Sequence, residues 1–144
     1  MTRALVSLGS NMGCREEHLS KALAALSAMP ETRLATASSV RETEPVDVPP
    51  EFADMKFLNQ VAVFETELPA REFSRRMHEI EDSLGRVRTV RNGPRTIDID
   101  LLDFDGLAMS DPDLTLPHPR AFSRGFVVAL LAEIGWRPSA TRQG

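Results

Sequence analysis

FLNQVAVFETELPAREFSRRMHEIEDSLG, Phe57 to Gly85, joins one strand to one helix through a proline turn. In Phe57 to Thr66 the β-branched and aromatic residues predict a strand, with Phe57, Asn59, Val61 and Val63 on one face. Asn59 is the odd member of that face: either a neighbouring backbone satisfies it, or it lies in a pocket to bind something. Pro69 suits the first turn of a helix, Phe73, Met77, Ile80 and Leu84 space as its buried stripe, and Gly85 is its C-terminal cap. Glu81 borders that stripe beside Ile80, as a rim carboxylate or a solvated one.

Toward the N-terminus, RALVSL (Arg3 to Leu8) reads as a strand stopped by the loop GSNMG at Gly9 to Gly13. A helix follows from Arg15 to Met29, with Leu19, Ala22, Leu23, Leu26 and Met29 at helical spacing, acidic Glu16 and Glu17 in its first turn, and Pro30 closing it. Leu34 to Glu42 reads as one further strand. EPVDVPPEFADM, Glu44 to Met55, has three prolines and must be a loop; long loops often cover active sites, and poorly ordered surface is the equally ordinary reading.

Toward the C-terminus, a basic loop from Arg86 to Pro94 leads into a strand from Thr96 to Phe104, and Asp105-Gly106 signals a hairpin turn into Leu107 to Met109. A proline-punctuated loop, Asp111 to Pro119, precedes a last helix from Arg124 to Ile134, with Trp136 packing near its end. The order β-α-β-β-α-β predicts an α+β fold: a ferredoxin-like sandwich with helices on one face of an antiparallel sheet, an added hairpin strand and a C-terminal helix. That topology hosts many unrelated functions, RNA binding among them, so the site must decide.

The chain's 144 residues suit one domain, and 42% hydrophobic with 26% charged residues is the composition of a globular protein. No apolar run approaches the length of a membrane helix and Met1 to Ser10 lacks a signal-peptide core, so a cytoplasmic location is expected. Cys14 is the sole cysteine, which excludes an internal disulfide framework, and His18, His78 and His118 lack the i, i+4 pairing of a helical metal site. A net charge of −4 argues against nucleic acid as a partner.

Within that acidic average, Arg86, Arg88, Arg91 and Arg95 cluster, and Arg120 and Arg124 follow in another loop. Arginine's fork suits phosphate oxygens, though a basic loop can also be mere solvated surface. Asp98 and Asp100 share one face of their strand, with α-carbons about 6.6 Å apart, close enough to converge on a hard cation that also takes phosphate oxygens. Two like charges so placed are costly unless something positive lies between them. Edge protection against aggregation is the other reading of such a pair. Acids and arginines in one segment point to metal-bound polyphosphate, and the absence of a Walker or kinase glycine loop requires an ATP site of another kind.

LGSNMG from Leu8, FLNQVA from Phe57, GRVR from Gly85, GPRTIDIDLL from Gly93 and LPHPRAFSRGFV from Leu116 together resemble, in order, the 6-hydroxymethyl-7,8-dihydropterin pyrophosphokinases of folate biosynthesis. The resemblance covers nearly the whole chain. It implies attack of the pterin hydroxymethyl oxygen on the β-phosphorus of ATP, with release of AMP and with two Mg2+ ions. Asp98 and Asp100 then look like the metal ligands, with Arg86 and Arg95 as catalytic phosphate contacts. Glu81, Arg88, Arg95, Leu101, Thr115, His118 and Arg124 look like the ATP site. Thr43, Pro45, Val46, Phe57, Asn59 and Phe126 look like the pterin site, the two phenylalanines sandwiching the ring. The proline-rich loop and the arginine loop are the expected covers, and their slow opening is expected to limit turnover. The expected partners are ATP and the pterin, with no nucleic acid and no membrane, and the expected state is a monomer.

The chain departs from the family pattern in several places. The loop from Arg86 to Arg95 is one residue shorter, Asn92 stands where a tryptophan can cover the pterin, Asp113 stands where an arginine can bind phosphate, and Phe57 replaces a possible tyrosine. Two rivals share parts of the pattern. Another metal-dependent phosphoryl or nucleotidyl transferase would use the same acids and arginines. An RNA-binding module would use the same topology, but the chain is acidic and lacks the K/R-G-F/Y aromatic signature.

Overall fold

The structure, a computed structural model, describes residues 1–44, 49–85 and 96–143. Strand β1 (Thr2–Ser10) leads into helix α1 (Arg15–Ser27), then β2 (Thr32–Ala37) and β3 (Arg41–Thr43). A 3-10 turn at Pro50–Phe52 precedes β4 (Phe57–Thr66) and α2 (Ala70–Ser83). Beyond lie β5 (Asp98–Phe104), β6 (Leu107–Ser110), β7 (Thr115–Leu116), α3 (Gly125–Glu133) and β8 (Arg142–Gln143). The main sheet runs β2-β4-β1-β5 with each neighbouring pair antiparallel, and β3 also pairs antiparallel with β4. The result is an α+β fold with an antiparallel sheet and, among the described residues, three α-helices.

Alternation along the strands sorts the apolar residues into two cores. Ala4, Val6 and Leu8 of β1, Leu58, Ala62 and Phe64 of β4, and Ile99 and Leu101 of β5 face α1 and α2, where Leu19, Leu26, Phe73 and Met77 meet them. Leu5, Val61, Val63 and Leu102 face the other way and pack against Val127, Leu130 and Leu131 of α3. Helices therefore cover both faces, not one. The cause is α3: its apolar residues recur closely enough to seal the second face, and Phe122 stacks on Trp136 at 5.5 Å beside it.

Three details differ from the sequence-based reading. Gly9 and Ser10 belong to β1, because both pair with β4, at Asn59 and Leu58, before the chain turns away. The single strand expected over 34–42 is two, because the Ser38 hydroxyl accepts the Val61 N–H at 3.0 Å and replaces a ladder bond. Asp105 and Gly106 do form a tight turn, with φ 53° and 79°, the signs of a type I′ turn. The strand after it is not a hairpin partner of β5, however; β6 pairs with β7 and, in parallel, with β8. The outer edge of β5 is already engaged, since the Ile99 N–H donates to Glu81 at 2.7 Å and the Leu102 carbonyl accepts from the His118 N–H at 2.8 Å.

Candidate active site

Register places the site. Gly9 of β1 pairs with Asn59 on one side and Asp98 on the other, and Ser7 pairs with Val61 and Asp100. Arg41 and Thr43 of β3 extend the same face by pairing with Asn59 and Phe57. Along this face the apolar residues under α3 give way to Ser7, Gly9, Asn59, Asp98 and Asp100. Neighbouring residues across strands lie about 5 Å apart. A row from Thr43 through Asn59 to Asp98 is therefore short enough for one small heteroaromatic molecule and its reactive arm.

Within the row, Asn59 is buried and donates through Nδ2 to Thr43 Oγ1 at 2.5 Å. Its Oδ1 lies over Gly9, where an added Cβ would come within 3.2 Å of that oxygen and 3.6 Å of the Phe57 ring. Gly9 is thus a gap in the floor between the amide and the acids. Asp98 and Asp100 are half-buried on this face, while Ile99 and Leu101 between and beyond them are in the opposite core. A pair of carboxylates with no third His, Cys, Asp or Glu ligand among the described residues fits Mg2+, which keeps waters and takes substrate phosphates in place of an all-protein cage.

His118 enters from the segment after β7. Its N–H is fixed on Leu102, and its Nδ1 accepts the backbone N–H of Arg120 at 3.2 Å and of Ala121 at 3.1 Å. With Nδ1 an acceptor, the neutral ring carries its hydrogen on Nε2 and is a donor there. Burial pushes the His118 pKa below its ordinary value, the positive charges of Arg124 and Arg120 push it the same way, and Asp98 opposes them. That coupling brings His118, Arg120, Arg124 and Asp98 into one electrostatic neighbourhood.

The structure therefore gathers Thr43, Phe57, Asn59, Asp98 and Asp100 on one face, and His118 feels the charges of both Asp98 and Arg124. Phe126 is half-buried against the α3-side core, on the same side of the sheet as Phe57. Thr115 is exposed in β7, and Leu101 presents only its backbone at the β5 edge, its side chain being core. Glu81 is not a rim residue. It is 1% exposed on the α2 side, where its carboxylate takes the Ile99 N–H and meets His78 Nδ1 at 2.9 Å. The buried stripe of α2 runs Ala70, Phe73, Ser74, Met77, Glu81, and the i, i+4 step from Met77 was the signal for it. Pro45, Val46, Arg86, Arg88, Asn92 and Arg95, and the cover loops containing them, lie in part or whole outside the described residues. Gly9, Ser7 and Arg15 were not singled out from the sequence, because only pairing and tertiary contact reveal them.

Comparison with known proteins identifies the family. The family model described as 7,8-dihydro-6-hydroxymethylpterin-pyrophosphokinase (HPPK) matches residues 5–136. The 2-amino-4-hydroxy-6-hydroxymethyldihydropteridine pyrophosphokinase of Bacillus subtilis (strain 168) is 41% identical over 132 residues, 91% of this chain and 77% of that protein. Its namesake from Methylorubrum extorquens is 41% identical over 135 residues, 93% of this chain and 83% of that one. The fold is also similar to a crystal structure of an HPPK-DHPS in complex with substrates, with a TM-score of 0.67 at 12% identity, over 96% of this chain and 42% of that one. With a family model spanning most of its length and relatives this similar, the chain belongs to the 7,8-dihydro-6-hydroxymethylpterin-pyrophosphokinase family.

Proposed function

We infer that the face carrying Asn59, Gly9, Asp98 and Asp100 is where the two substrates meet. The chain is a pyrophosphokinase: it transfers diphosphate from ATP to 6-hydroxymethyl-7,8-dihydropterin in folate biosynthesis, giving AMP and the pterin diphosphate. The observation that supports placing this reaction here is the single row that joins Asn59 to Asp98 through Gly9.

In this reading the pterin ring lies against Phe57 and Phe126, with Asn59, Thr43 and the backbone of Pro45 and Val46 along its polar edge; a flat heteroaromatic wants aromatic faces plus an amide. Its hydroxymethyl arm then points along the row toward the acids. Asp98 and Asp100 would hold Mg2+, two ions in the family's manner, and the bound metal would supply the positive charge that offsets the ATP phosphates. His118 donates from Nε2 to a phosphate oxygen, and Arg124, Arg86, Arg88 and Arg95 add positive charge around the polyphosphate. The Leu101 backbone and Thr115 line the nucleotide, and Glu81 acts on it from behind by holding the edge of β5. Attack by the pterin oxygen on the β-phosphorus needs in-line positioning more than covalent help.

The strand order supports a ferredoxin-like βαββαβ assignment for a single pyrophosphokinase domain over 1–144, with α3 added. Among the described residues no helix is long and apolar enough to cross a membrane, and a cytoplasmic monomer using ATP is the proposed state. Purified protein mixed with ATP, Mg2+ and the reduced pterin should yield AMP and the pterin diphosphate in equal amounts. ADP as the product would overturn diphosphoryl transfer.

A further inference from the structure

Arg15 opens α1 on the side of the sheet away from the acids, and it joins two segments that are distant in the chain. Its Nη1 donates to the Lys56 carbonyl at 2.8 Å, and its Nη2 pairs with Glu42 Oε2 at 3.0 Å. Lys56 immediately precedes Phe57, the first residue of β4, and Glu42 is the middle residue of β3. One guanidinium thus holds the start of β4 and the whole of β3 together.

What lies on the other side of those two strands gives the contact its meaning. In β3 the side chains alternate, so Glu42 points back to Arg15 while Arg41 and Thr43 point to the site face. Thr43 pairs with Phe57 and accepts from Asn59, at 2.5 Å. β3 has only three residues and, among the described residues, pairs with β4 alone. A strand so short, at the edge of a sheet, has few ladder bonds to set its distance from β4, and a forked side chain bridging both segments adds a restraint that a lone ladder lacks. The part-exposed pair contributes little to global stability. Its effect is on position.

We propose that Arg15 is a positioning residue for the pterin pocket: by clamping Glu42 and the Lys56 carbonyl from behind, it sets the Thr43–Asn59 hydrogen bond and the placement of Phe57. The proposal rests on the assignment of that pocket to the pterin. In this proposal Arg15 acts through β3 and the start of β4, the two segments it contacts.

The test measures KM for the reduced pterin and for ATP separately, with kcat, in R15M, R15K, E42Q and T43V and in the R15M/T43V double variant. R15M should raise the pterin KM about fivefold, the consequence of loosening one such clamp, while the ATP KM and kcat stay within about twofold. E42Q should show a smaller rise of the same kind, which keeps the test alive should R15M fold poorly. R15K, which keeps the charge but not the fork, should recover part of the affinity. R15M and T43V should combine to less than the product of their separate effects, because both act on one hydrogen bond. An unchanged pterin KM in both R15M and E42Q would overturn the proposal. So would a parallel rise in both KM values with a falling Tm, which would mark a general loss of structure. A wild-type protein forming no AMP from ATP and the pterin would remove the pyrophosphokinase reading itself, an outcome read before any variant is made.

Discussion

Asn59 and Asp98 flank the same residue from opposite sides: each is the cross-strand partner of Gly9, one in β4 and the other in β5. The proposed ring-edge amide and the proposed metal-holding acid are thereby spaced by the width of a β-ladder, which no loop movement can alter. The space between them exists because Gly9 has no side chain. A methyl there would stand 3.2 Å from Asn59 Oδ1, tighter than ordinary contact, and would reach the Phe57 ring at 3.6 Å.

Gly9→Ala should therefore leave the fold intact and damage binding. Gly9 does not occupy the left-handed region, so alanine suits its backbone. The pterin KM should rise about tenfold, the worth of one misplaced hydrogen bond. Steady-state kinetics beside a thermal melt would check it, and a normal pterin KM with a lowered Tm would show that the gap serves packing only.

Asp98→Asn and Asp100→Asn should each cut the rate of AMP formation about 100-fold or more, the scale of losing one charge contact to a developing transition state. Pterin affinity, measured by calorimetry without ATP, should change little, because Asn59, Thr43 and Phe57 are untouched. If both variants instead failed to fold, the pair would be serving the sheet, not the metal.

Glu81 is expected to reveal itself in stability more than in nucleotide affinity. Glu81→Ala removes the buried acceptor of the Ile99 N–H and the partner of His78. Leaving a buried donor without a charged acceptor costs about 2–3 kcal/mol. Urea unfolding at neutral pH would measure it, and a stability change below about 0.5 kcal/mol, the level typical of surface positions, would contradict the buried role.

His118 predicts a pH dependence of defined sign. Burial, then Arg124 and Arg120, lower its folded pKa below the ordinary 6.5, so the folded protein binds the proton less readily than the unfolded chain. The stability associated with the neutral ring is thus fully present above pH 6.5 and is lost as pH falls through the folded value. Protonation also places a hydrogen on Nδ1, against the Arg120 and Ala121 N–H groups that it now accepts. His118→Asn keeps an acceptor at that position and removes the titration. Its unfolding free energy should vary less between pH 7 and pH 5 than the wild type's, while its ATP KM rises from loss of the Nε2 donor. Identical pH profiles for the two proteins would rule the effect out.

Much of this was legible in the linear chain because it depends on short periods. An alternation of two put Asp98 and Asp100 on one face whatever the strand paired with, and helical spacing identified the cores of α1, α2 and α3. Even the tight turn at Asp105-Gly106 followed from local backbone preference. The motif order, read from Leu8 through Val127, was sufficient for the family.

What pairs with what was a different matter. Gly9 reads as a loop residue by propensity, yet cross-strand bonds to β4 and β5 on both sides hold it in the sheet. Glu81 reads as a polar rim residue, yet the Ile99 N–H at the open edge of β5 offers a buried carboxylate a partner, and burial follows. β6 abandons β5 because Glu81 and His118 already occupy that edge. Each outcome depends on a donor or acceptor supplied from many residues away, and such partners have no periodic trace in sequence. The chain by itself determined which side chains share a face, since that is set by backbone geometry within an element. Only tertiary structure decided which faces meet, because that is set by where hydrogen-bonding groups and apolar surface from separate elements can satisfy one another.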